Sequence, residues 1–70
     1  MKTIYDIQQF LKKFGTIIYV GDREAGLELM EDEIQELYKS QCMTQEDYRM
    51  AILLLRSEIA REKDRKRKEV

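Results

Sequence analysis

The sequence predicts an all-α fold, a three-helix bundle with an extended connection between the first and second helices. Three observations carry this reading. There is no proline, and the three glycines stand at positions 15, 21 and 26. Apolar residues recur at spacings of three and four in three separate stretches. Residues that favour helix starts stand ahead of each stretch.

The first helix spans roughly Ile4 to Phe14. Thr3 followed by Asp6 has the spacing of a capping box, and Gly15 is placed to end the helix in the left-handed region. Ile4, Ile7, Phe10, Leu11 and Phe14 share one side at 100° per residue. The next segment, Thr16 to Val20, is β-branched and aromatic and favours an extended backbone. It crosses the bundle, burying Ile17 or Ile18, and Gly21 then turns the chain so that Asp22 caps a second helix.

That second helix runs from about Arg23 to Ser40. Leu27, Met30, Ile34, Leu37 and Tyr38 form its core stripe, while Glu28, Glu31, Asp32 and Glu36 lie elsewhere. Gly26 weakens it slightly, and its early acids suit the positive end of the helix dipole. At the second turn Met43, Thr44, Asp47 and Tyr48 occupy the positions of a staple around a threonine cap. The third helix starts at Gln45 and turns Tyr48, Ala51, Ile52, Leu55 and Ile59 to the core. Residues 1–60 make the bundle domain, and 61–70 form a charged helical tail that frays at its end.

Seventy residues hold one domain. A chain this short buries only about 60% of the surface it exposes when unfolded, so its stability is narrow. One cysteine, Cys42, and no histidine exclude an internal disulfide and a zinc staple. The N-terminal segment lacks the apolar run of a secretion signal, and the longest apolar run, Met50 to Leu55, is far short of the roughly 20 residues a membrane span needs. The composition points to the cytoplasm and away from membranes.

Net charge is −1, but the charges are segregated. From Asp22 to Glu36 there are seven acids against Arg23 alone, and Arg61 to Val70 holds six bases against three acids. Solvated helix faces account for such runs in the ordinary case.

The string FGTIIYVGDRE, preceded by IYDIQQFLKK and followed by MEDEIQELY, resembles the YqgQ-like family of short uncharacterised proteins from Firmicutes bacteria. The resemblance covers about residues 2–57 and is most specific from Phe14 to Glu24. It implies a three-helix fold and a bacterial cytosolic setting. It supplies no established activity and no catalytic residues.

Enzymatic chemistry is the class that the composition disfavours. Without histidine, acid and base work would fall to carboxylates, tyrosines or lysines whose pKa values must be shifted by burial, and so small a domain has little interior for that. No phosphate-binding glycine loop or nucleophile elbow is present. Glu28, Glu31 and Asp32 lie within a turn of one another, but no second ligand-bearing segment accompanies them, so no metal site or cofactor is expected.

Binding readings rest on two surfaces. Tyr5, Gln8 and Lys12 share a face of the first helix with Lys13 nearby, and Arg49, Arg56 and Lys63 repeat every seven residues on the third. With Tyr19, these offer cations for phosphates and rings for unstacked bases, the chemistry of single-stranded RNA or DNA binding. Tyr5, Lys12, Lys13, Tyr19, Arg49 and Arg56 are the contact candidates. Duplex reading is disfavoured, because the helix after the short turn opens with Gln45, Glu46 and Asp47, whose carboxylates repel phosphate.

The alternative is a protein interface, with another protein or a second copy. Met50, Leu53 and Leu54 lie beside or opposite the core stripe of the third helix, more apolar surface than a three-helix bundle covers unless the extended connection or a tilted helix packs there. Arg23 is either an ion-pair partner for the acids of the second helix or a phosphate contact, and the many carboxylates around it favour the ion pair.

Overall fold

A computed structural model describes residues 1–18 and 21–68, without the side chain of Lys68. Tyr19 therefore lies outside the described residues. The order is α1 (Ile4–Lys13), α2 (Arg23–Lys39) and α3 (Gln45–Lys68), with no strand among the described residues. The three-helix, all-α reading is correct.

Each helix start follows from its cap. The Thr3 hydroxyl accepts from the Asp6 N–H at 3.2 Å, and the Asp6 carboxylate accepts from the N–H groups of Thr3 and Lys2 at 3.2 and 3.0 Å. Asp22 accepts from the Ala25 N–H at 3.1 Å, and Thr44 from the Asp47 N–H at 3.1 Å. These bonds satisfy amides that the helices themselves leave without partners.

Both interhelical turns close in the same way. After α1, Gly15 takes φ +81° while its N–H reaches the Lys12 carbonyl and the Thr16 N–H reaches that of Leu11. After α2, Gln41 takes φ +60°, with Gln41 and Cys42 donating to Tyr38 and Leu37. A left-handed residue just past the last turn lets the chain fold back onto orphan carbonyls. Phe14 and Ser40, the last helical residues by the sequence reading, are the C-caps that follow α1 and α2.

α2 and α3 form the principal hairpin, packing along each other more extensively than either packs on α1. Their partners step from Asp22–Lys66 through Glu31–Arg56 to Tyr38–Tyr48, the register of an antiparallel pair. The core is Ile7 and Leu11 from α1, Leu27, Met30 and Ile34 from α2, and Ala51, Ile52 and Leu55 from α3. In the link after α1, Ile18 packs on this core while Ile17 is exposed.

The far end of α3 is joined to the start of α2 by charge. Glu62, 6% exposed, lies 3.1 Å from Arg23 and 2.8 Å from Arg65; Lys66 lies 2.9 Å from Asp22 and 3.5 Å from Glu24. Residues 61–68 thus continue α3, tied to the start of α2 through Glu62 and Lys66. Arg23 is an ion-pair partner, but its carboxylates are Glu58 and Glu62 of α3 rather than acids of its own helix. A side chain at the first position of α2 reaches the neighbouring helix more readily than residues farther along its own.

Candidate nucleic-acid interface

The turn from Ser40 to Thr44 sets the last turn of α2 against the first turn of α3. Tyr38 and Tyr48 meet there, rings parallel to within 10° and centroids 4.1 Å apart. Such stacking adds about 0.5–1.5 kcal/mol beyond the area it buries. The rings are half-buried and border an open groove of about 350 Å³, whose other walls are Gln45, Arg49, Ile52, Leu53 and Arg56. Arg49 and Arg56 are separated by two helical turns, about 10.5 Å at 1.5 Å per residue. Leu53 stands between them in sequence, 59% exposed.

Arg56 also borders a second recess along α3, with Glu28, Glu31, Asp32, Ile59, Ala60 and Lys63. Its Nε is 3.9 Å from Glu31 Oε1, while Gln35 Nε2 donates to Glu31 Oε2 at 3.3 Å. The α2 side of the α2/α3 channel therefore changes from aromatic to acidic beside Arg56.

The sequence candidates do not assemble into one face. Arg49 and Arg56 share the aromatic groove. Lys12 borders a cavity of about 200 Å³ with Leu11, Ile17, Ile18 and Met30, whereas Lys13 lies at a third recess with Asp6, Phe10 and Asp47. Tyr5 is 65% exposed on α1. Of the interface candidates, Met50 and Leu53 are exposed, but Leu54 is half-buried and packs against the core. The residues of the link that line the Lys12 cavity, Thr16, Ile17 and Ile18, accompany α1 and Met30 rather than Met50 and Leu53.

Two features were missed in the sequence. Tyr38 and Tyr48 read as members of separate core stripes, yet their positions on either side of one tight turn signal that they meet. Burial of Glu62 was also missed, although it stands three residues beyond Ile59 and continues the core stripe of α3.

Among the described residues, no helix is long and apolar enough to cross a membrane, and no cluster of three or more histidine, cysteine or acidic side chains could hold a metal ion. Cys42 is exposed in the turn, its Sγ 3.7 Å from the Ser40 carbonyl oxygen.

The fold and grooves define a small all-α three-helix protein whose surface features are shallow recesses between helices. A family model described as YqgQ-like matches residues 1–61, and the Bacillus subtilis (strain 168) protein titled "Uncharacterized protein YqgQ" is 45% identical over 64 residues, 91% of this chain and 90% of that protein. The chain belongs to the YqgQ-like family.

Proposed function

We propose that this protein is a binding module for single-stranded nucleic acid, with the Tyr38–Tyr48 groove as its site. The supporting observation is that Arg49 and Arg56 border the same groove as a stacked tyrosine pair and an exposed leucine. Guanidinium groups bind phosphate through paired N–H donors, and flat apolar side chains accept the faces of unstacked bases without regard to sequence. Net charge is −1, so attraction is local to the groove rather than a property of the whole surface.

The test is fluorescence anisotropy with a short labelled oligonucleotide across a salt series. Two phosphate contacts give a slope of about −1.4 in log affinity against log salt, a sevenfold weakening between about 50 and 200 mM. Arg49→Ala or Arg56→Ala halves that slope, while Lys13→Ala, at a separate recess, leaves it unchanged. Absence of binding at the lowest salt defeats the reading.

A second reading, a surface for a partner protein or a second copy, is favoured by the exposure of Met50 and Leu53 on α3. Sedimentation separates the two: self-association abolished by Leu53→Glu supports the interface, and a monomer at all concentrations removes the second copy.

A further inference from the structure

We propose that Glu31 closes the far end of the groove by competing with phosphate for Arg56. The inference rests on the single-strand reading and adds a regulating residue to that site.

Glu31 is held in position. Its side chain is only 21% exposed, one carboxylate oxygen accepts from Gln35, and the other lies 3.9 Å from Arg56 Nε. A negatively charged oxygen thus already occupies the side of Arg56 that faces α2. An incoming phosphate must share the guanidinium with this carboxylate or displace it, and suffers like-charge repulsion in either case.

The cationic side of the channel continues past this point. Arg49, Arg56 and Lys63 follow at equal intervals of about 10.5 Å along α3, and Arg56 and Lys63 border the second recess together. The α2 wall does not continue in kind, because Glu28, Glu31 and Asp32 replace the tyrosine. Lys63 is therefore placed to extend the phosphate track but is screened from a strand by the acids beside it. Glu31 is the one of these acids paired with Arg56, and it sets where the strand leaves the groove.

The experiment compares the wild-type chain with Glu31→Gln, which keeps the shape and the Gln35 partner but removes the charge, and with Glu33→Gln, which borders neither recess, as a control for net charge alone. Glu31→Gln tightens binding of a labelled single-stranded oligonucleotide about three- to fivefold at low salt, in proportion to an exposed ion pair. It also steepens the salt slope from about −1.4 to about −2.1 as Lys63 becomes a third contact. Lys63→Ala then weakens binding in the Glu31→Gln background and has little effect in the wild type. Circular dichroism confirms that each variant is folded.

If the wild type binds and Arg56→Ala weakens it, but Glu31→Gln changes neither affinity nor slope, the competition is disproved while the site stands. An equal gain from Glu33→Gln also disproves it, by showing a general charge effect. If the wild type binds no oligonucleotide, the site itself fails and this inference fails with it.

Discussion

Replacing Gln41 with glycine raises the melting temperature, and replacing Gly15 with alanine lowers it. Both residues occupy the left-handed region, at φ +60° and +81°, one position past the C-cap of a helix. A side chain there costs about 1–2 kcal/mol, and the greater freedom of glycine in the unfolded chain offsets about 0.4–1 kcal/mol. Midway through both ranges the net effect is about 0.8 kcal/mol at each site, with opposite signs. No atom lies within 4 Å of a Cβ built at Gly15, so packing adds nothing to the penalty. For a domain of this size about 1 kcal/mol moves the melting temperature by about 4–8 °C, so each change shifts it by about 3–6 °C. Far-UV circular dichroism during heating measures both. A melting temperature for Gln41→Gly at or below that of the wild type would refute the reasoning about the turn.

Three further changes probe the fold. Leu55→Ala removes a fully buried side chain at a cost of about 2–5 kcal/mol, comparable with the whole stability of a core this small; it abolishes the cooperative melt, and an intact transition near the wild-type temperature would contradict the packing described. Thr44→Ala deletes the cap of α3 and costs about 1 kcal/mol, read as a drop of several degrees in melting temperature. Acid destabilises the protein, because Asp22 is held below the usual carboxylate range by the Lys66 hydrogen bond and then the Ala25 N–H, and Asp6 by the Lys2 N–H and the capping bonds of Thr3. With folded pKa values below the unfolded ones, this stabilisation is complete above about pH 4 and lost as pH falls through the folded values; a melting temperature unchanged well below pH 4, or Asp22→Asn that leaves the pH profile unaltered, would contradict it.

The legible parts of this protein were those encoded within one turn of chain. Thr3 with Asp6, Gly15, Asp22, and Thr44 with Asp47 act through bonds to residues three or four positions away, so spacing alone located the helix ends. The core stripes were legible for the same reason, since Ile7, Leu27, Ile34 and Leu55 repeat at the helical period. What depended on the register between helices was not. Arg23 reaches Glu58 and Glu62 only because α2 and α3 run antiparallel with Asp22 opposite Lys66. The basic faces of α1 and α3 do not coincide: Lys12, Lys13 and the Arg49–Arg56 pair border three different recesses, because the neighbours at each come from whichever helix packs alongside. Leu54 reads as surplus apolar surface on a helical wheel, but it packs against the core.

Chemical-shift mapping of the ¹⁵N-labelled protein with a single-stranded oligonucleotide at low salt tests the proposed site most directly. The account predicts saturable shifts at Tyr38, Tyr48, Arg49, Leu53 and Arg56, diminishing as salt is raised. Shifts confined to α1 around Lys12 and Lys13, or none at all, would contradict it.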